Sequence, residues 1–174
     1  MTSRTLLTRL GDRDRALFAR CLGSPSTSRA HRVGWTFITH LGGVSCSVLA
    51  ATVPMALGDA LASAARQALM ILVCSHLVVQ LVKRTVSRPR PSTAIETVTL
   101  VVEPDRFSFP SGHSAAAMAV AIGYAMAFPS FAVPLIVAAL LVGASRVFLG
   151  VHYPGDVLVG QLIAALTALA LRLV

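Results

Sequence analysis

Between Val33 and Leu57 the chain carries no charged side chain, and a run that long fits very few environments. About 20 mostly apolar residues take an α-helix across the hydrocarbon of a bilayer. Four more such stretches follow, at Ala60–Val82, Gly112–Phe128, Phe131–Phe148 and Pro154–Leu173, separated by polar or proline-bearing breaks. With 55% hydrophobic and 13% charged residues in 174, there are too few polar side chains to coat a soluble surface. The pattern predicts an all-α fold: a multi-pass transmembrane helical bundle of about five spans. Trp35 suits an interfacial position at the first border, and Arg66 lies close enough to the end of the second span to snorkel. Pro134 falls in the first turn of the fourth span, where a missing amide costs nothing.

Residues 1–32 read as a basic amphipathic segment and 33–174 as one membrane-embedded domain. Leu6, Leu10, Leu17 and Cys21 recur at roughly helical spacing with Arg and Asp between them, which predicts a helix lying on the membrane surface. The same Arg and Asp residues interrupt the apolar core that a cleavable export signal would need. Cys21, Cys46 and Cys74 are scattered without metal-ligand spacing and read as small apolar residues. His40 and His76, inside the first two spans, are expected to hydrogen-bond a neighbouring helix.

The net charge of +8 admits nucleic acid, anionic lipid or a phosphate-bearing substrate as partner. Position decides: seven arginines precede the first span and Lys83, Arg84, Arg88 and Arg90 follow the second, so the basic groups sit at membrane borders. That placement disfavours nucleic acid and favours a lipid phosphate. The connection from Lys83 to Ser111 holds four prolines and is long enough to be functional; its apolar patch, Thr97–Val102, is a candidate for dipping into the interface. Five spans put this connection and the link between the last two spans on one face of the membrane. Everything polar and unusual therefore converges there.

At that face stand Lys83 and, seven residues on, Arg90-Pro91; then Pro110-Ser111-Gly112-His113; then Ser145-Arg146, with His152 six residues later and Asp156 four after that. This three-part pattern resembles the signature of the type 2 phosphatidic acid phosphatase superfamily, which includes vanadium haloperoxidases and bacterial nonspecific acid phosphatases. The likeness covers roughly residues 67–174. Arg88-Pro89 offers the same dipeptide, but Leu81 stands where the lysine is needed. Arg84 and Arg88 are thus read as interfacial charges for anionic headgroups.

The residue chemistry agrees with what the resemblance implies. Lys83, Arg90 and Arg146 would neutralise a phosphate, the guanidiniums in bidentate fashion. Ser111, Gly112 and His113 begin a helix, whose free amides favour an anion. Four residues separate His152 from Asp156, so a turn would bring the carboxylate to one imidazole nitrogen and leave the other to attack phosphorus. His152 is assigned as nucleophile, Asp156 as its orienting partner and His113 as general acid, with a phosphohistidine intermediate. Neither metal nor cofactor is implied.

The leading expectation is hydrolysis of a lipid phosphate: a phosphatidate, a phosphatidylglycerol phosphate, a polyprenyl phosphate or diphosphate, or a polyprenyl-linked sugar phosphate. A vanadate-dependent haloperoxidase and a non-catalytic lipid-phosphate binding or transport protein are the alternatives. Oligomeric state is open. The sequence reads as a multi-pass protein of a prokaryotic inner membrane, and the N-terminal arginines predict a cytoplasm-facing site, since the opposite borders carry only Asp59, Arg66 and Arg172.

Overall fold

A computed structural model describes residues 2–22, 28–94, 99, 101 and 105–173, the side chains of 2–10 excepted. Among these the chain is all-helical: α1 (Thr2–Cys21), α2 (Arg29–His40), α3 (Val44–Thr52), α4 (Asp59–Val86), a single turn α5 (Pro91–Ala94), α6 (Gly112–Ala127), α7 (Ala132–Phe148) and α8 (Pro154–Arg172). Short 3₁₀ turns at Val53–Ala56 and Pro129–Phe131 extend α3 and lead into α7. Most of the Thr97–Val102 patch lies outside the described residues.

Small residues set the packing. Helix α6 occupies the centre against α3, α4, α7 and α8, and its alanines and Gly123 let neighbouring backbones come close. A Cβ on Gly123 would stand 2.5 Å from Ala68 Cα of α4. The buried core is correspondingly rich in alanine, among them Ala64, Ala68, Ala119 and Ala164, whereas Leu77, Val133, Leu158 and Leu166 are exposed. Large apolar side chains outside and small ones inside is the arrangement a hydrocarbon solvent permits. Helices α4 and α8, and α7 together with the 3₁₀ turn that leads into it, are each long and apolar enough to cross a membrane. At 16 residues α6 is shorter than the usual span, and it is wrapped by the others.

The first span departs from expectation. It is not one continuous helix over Val33–Leu57 but a broken pair, α2 and α3, bent by 48° at residues 41–43. Gly42 and Gly43 explain the break. A Cβ on Gly42 would meet the His113 carbonyl oxygen at 2.7 Å, and one on Gly43 the His40 carbonyl oxygen at 3.0 Å. The bend thus allows the chain to press onto the start of α6. Trp35 stacks on Phe148 at the end of α7, with ring centroids 5.2 Å apart, and donates to His31. Tyr124 of α6 donates to the Ala50 carbonyl of α3 at 2.7 Å.

Helix α1 forms as read but docks through residues not singled out in the sequence. Phe18 is fully buried edge-on against Tyr153, and the Asp14 carboxylate accepts from Gly155 N at 2.8 Å, next to the start of α8. Leu17 and Cys21 of the expected apolar stripe are exposed, while the side chains of Leu6 and Leu10 lie outside the described residues.

Candidate active site

The C-terminal end of α4, the N-terminal end of α6, the C-terminal end of α7 and the N-terminal end of α8 meet at one face of the bundle, and each delivers one part of the pattern. Helix α4 runs on to Val86, which carries Lys83 to the border, and ends at Ser87 in a left-handed conformation that turns the chain back. Ser111 caps α6: its Oγ accepts from Ser114 Oγ at 2.9 Å, and its amide donates to the Asp156 carbonyl at 2.9 Å, locking the starts of α6 and α8 together. The Ser111 hydroxyl hydrogen and the amides of Gly112 and His113 are the donors this turn has left for an anion. The link after α7 folds back on its own helix, Val151 N and His152 N both approaching the Arg146 carbonyl at 3.1 and 3.3 Å.

Lys83, Arg90, Ser111, Arg146, His152 and Asp156 are all buried, and His113 is half-buried. Two adjacent buried cations repel each other unless an anion lies between them. Asp105 supplies it. Lys83 Nζ donates to both Asp105 oxygens, at 3.0 and 2.9 Å, and to the Phe107 carbonyl at 3.0 Å. Arg90 donates to Asp105 Oδ1 at 2.8 Å, to the Asp105 carbonyl at 2.7 Å and to the Val151 carbonyl at 2.8 Å. Arg146 Nη1 donates to Thr39 Oγ1 at 2.8 Å, tying the end of α2 to the end of α7. Burial pushes the Asp105 carboxyl up, but Lys83 and then Arg90 outweigh it and hold it below the ordinary carboxylate value.

His152 presents Nε2 to this cluster, 3.4 Å from Arg90 Nη1, and turns Nδ1 toward Asp156 Oδ2 at 3.7 Å. That second distance is within ion-pair range and longer than a hydrogen bond. The Asp156 oxygens make closer contacts elsewhere: Oδ1 with Arg88 at 2.7 Å, Oδ2 with Tyr153 N at 2.9 Å and with the Ser108 hydroxyl. Asp156 is therefore a hub of the local scaffold as well as the carboxylate nearest Nδ1. Burial lowers the His152 pKa from 6.5 to about 4; Asp156 opposes the shift, and the charges of Arg146 and Arg90 reinforce it. The imidazole is neutral at physiological pH, as a nucleophile must be.

Four participants escaped the sequence reading. Asp105 lies in a proline-bounded connection with no periodic signal. Thr39 is recognisable only once the chain is known to break at Gly42-Gly43. Arg88 is not a headgroup-facing charge: it bridges Asp14 at 2.8 Å and Asp156 at 2.7 Å, and its guanidinium lies 4.1 Å from the centre of the Tyr153 ring. Asp14 belongs to the docked α1. Arg84, by contrast, is exposed as read.

A groove of about 480 Å³ leads to the cluster between α3 and α4, with Lys83, Asp105 and His113 at its inner end and Val44, Val48 and Leu77 along its walls. Val44 and Leu77 are well exposed, so its mouth opens to the side of the bundle. His113 lines the groove close enough to Arg146, His152 and Arg90 to feel their charges, and His152 itself stands beside Arg90. Among the described residues no group of three or more His, Cys, Asp or Glu is placed to hold a metal ion.

The chain resembles known proteins in both sequence and fold. Aligned segments are 37% identical to the lipid A 1-phosphatase of Rhizobium johnstonii over 94 residues (51% of this chain, 38% of the relative). They are 39% identical to the decaprenylphosphoryl-5-phosphoribose phosphatase of Mycobacterium tuberculosis over 93 residues (52% and 50%). The chain aligns with half or less of these relatives' own length. The fold superposes on the transmembrane phosphatidylglycerolphosphate phosphatase of Bacillus subtilis with a TM-score of 0.77, 26% identity and 94% and 85% of the two chains covered. LpxE of Aquifex aeolicus gives a TM-score of 0.77 at 24% identity, covering 89% and 92%, a likeness of fold. A family model described as the PAP2 superfamily matches residues 64–174, which hold all three segments of the pattern, and the chain belongs to that superfamily.

Proposed function

We propose that this protein is an integral membrane phosphatase that removes the phosphate of a lipid through a phosphohistidine intermediate. The observation that carries the reading is the joining of a buried cationic cluster, with a neutral imidazole at its edge, to a side-opening apolar groove. A lipid keeping its chains in the bilayer would bring its phosphate up that groove to Lys83, Arg90 and Arg146. His152 Nε2 then attacks phosphorus, the bond to the lipid oxygen breaks, and His113 protonates the leaving oxygen, a role worth about 10² to 10⁴ in rate. Water next attacks the phosphohistidine, with His113 accepting its proton, and inorganic phosphate leaves. Asp156 holds the neighbouring turn and faces Nδ1 as positive charge develops on the ring. Three of the similar proteins are named as a lipid A 1-phosphatase, a decaprenylphosphoryl-5-phosphoribose phosphatase and a phosphatidylglycerolphosphate phosphatase, which supports the substrate class.

The test is phosphate release by the purified protein in mixed micelles across a panel of lipid phosphates and a soluble ester. Lipids should be preferred, and His152→Ala should abolish turnover. Rapid quenching of the parent during turnover of labelled substrate should trap acid-labile, base-stable label on the protein, and His152→Ala should carry none. Equal turnover by parent and His152→Ala would overturn the mechanism.

The bias of N-terminal arginines supports a site facing the cytoplasm. A cysteine placed at Ser92 should resist an impermeant thiol reagent in intact cells and react after lysis. Ready labelling from outside would reverse the orientation.

A further inference from the structure

The groove is not uniformly apolar. His76, Gln80 and Lys83 occupy positions i, i+4 and i+7 of α4 and all line it, so they form one stripe on the helix. With a rise of about 1.5 Å per residue, Gln80 lies roughly 4.5 Å and His76 roughly 10 Å along the helix from the phosphate-binding lysine. The two side chains meet, Gln80 Nε2 standing 3.1 Å from His76 Nε2. With Gln80 donating, His76 carries its proton on Nδ1, and the second amide hydrogen of Gln80 is left over. The sequence suggested a bond from His76 to a neighbouring helix; among the described residues its partner is instead Gln80 of its own helix. Across the groove on α3, Ser47 is 2% exposed, lines the same space, and its hydroxyl has no hydrogen-bond partner among the described residues.

Hydrocarbon has nothing to offer these donors, and polar groups inside a membrane persist where they meet a partner. An isoprenyl phosphate attaches its phosphate directly to a hydrocarbon. A glycerolipid phosphate carries ester carbonyls a few bonds from phosphorus, and a glycolipid phosphate carries ring and hydroxyl oxygens there. Resting on the phosphatase reading above, we propose that Ser47, His76 and Gln80 form a subsite for the oxygen-bearing backbone between phosphate and chains. The enzyme selects lipid phosphates that possess such a backbone over polyprenyl phosphates. Gln80 reaches the oxygens nearest phosphorus, while His76 and Ser47 face those farther along.

The test compares kcat/KM for phosphatidate, a glycolipid 1-phosphate and undecaprenyl phosphate in the same micelles, for the full chain and for its His76→Leu/Gln80→Leu and Ser47→Ala variants. The parent should favour at least one oxygen-bearing substrate over undecaprenyl phosphate by tenfold or more. That ratio should fall at least tenfold in the double variant and severalfold in Ser47→Ala, mainly through KM. A ratio is insensitive to the fraction of enzyme that folds. Loss of selectivity for phosphatidate alone identifies a glycerol backbone, and loss for the glycolipid alone a sugar. A ratio unchanged in the double variant for both substrates overturns the subsite. Should the parent hydrolyse no lipid phosphate, the phosphatase reading falls and retention of the same lipids by the protein decides the subsite. Phosphatidate or glycolipid phosphate held by the parent and released by the double variant supports it, and equal retention refutes it.

Discussion

The Asp105 carboxylate accepts from Lys83 Nζ through both of its oxygens, at 2.9 and 3.0 Å, and so holds the charge that a substrate phosphate would bring. Asp105→Asn keeps the shape and removes the competing anion. Orthovanadate and inorganic phosphate should inhibit this variant about 5- to 20-fold more tightly, about 1–2 kcal/mol, as read from inhibition constants. Without ligand the variant should melt lower than the parent, because Lys83 and Arg90 lose their counter-charge, and added phosphate should restore it. As Lys83 and Arg90 hold this carboxyl below its ordinary range, it should add no titration step to inhibition at neutral pH.

His152 makes stability depend on pH with a definite sign. Its folded pKa, about 4, lies below the ordinary 6.5. Between those values the unfolded chain binds a proton that the folded chain refuses. The contribution is therefore complete above pH 6.5, declines as pH falls towards 4, and is constant below, up to about 3 kcal/mol in all. Thermal unfolding in detergent from pH 7.5 to 4 should show this fall in the parent and a smaller one in His152→Asn. Parallel curves for the two proteins would remove His152 as the cause.

Arg88 links α1 to the start of α8 through the carboxylates of Asp14 and Asp156, so its loss leaves the buried Asp156 without its cation. Arg88→Gln should lower kcat about 10- to 100-fold with a smaller change in KM, and Arg88→Lys, a single point charge unable to fork between Asp14 and Asp156, should recover only part. A double-mutant cycle of Asp14→Asn with Arg88→Gln should give a coupling of roughly 0.5–3 kcal/mol in unfolding measurements.

Two glycines separate packing from catalysis. A Cβ on Gly123 would stand 2.5 Å from Ala68 Cα, and one on Gly160 2.4 Å from the Ser111 carbonyl oxygen. Each substitution to Ala should cost about 1–3 kcal/mol in overpacking. Gly160→Ala should also depress kcat by displacing Ser111, while Gly123→Ala, in the α4–α6 crossing, should lower the melting temperature and spare the kcat of the folded fraction.

The helices α4, α6, α7 and α8 were legible because hydropathy and helix length are local properties: Lys83, Ser111, Arg146 and Asp156 fall at their ends by covalent spacing alone. The same spacing placed His152 beside Asp156, but not the carboxylate's shorter contacts. The helix begins only at Pro154, so Asp156 bends back to the Tyr153 amide and across to Arg88 and Ser108.

What tertiary structure decided is which distant groups balance the buried charges. Asp105 reaches Lys83 across 22 residues, Arg146 reaches Thr39 across 107, and Gly155 reaches Asp14 across 141. No periodicity encodes such pairs. They follow from where the broken α2–α3 segment and the docked α1 come to rest, and from the physical demand that a charge taken out of water find an opposite charge or a hydrogen-bonding partner. Sequence alone determined the solvent, the helices and the three segments of the site; packing determined the partners that hold those segments ready.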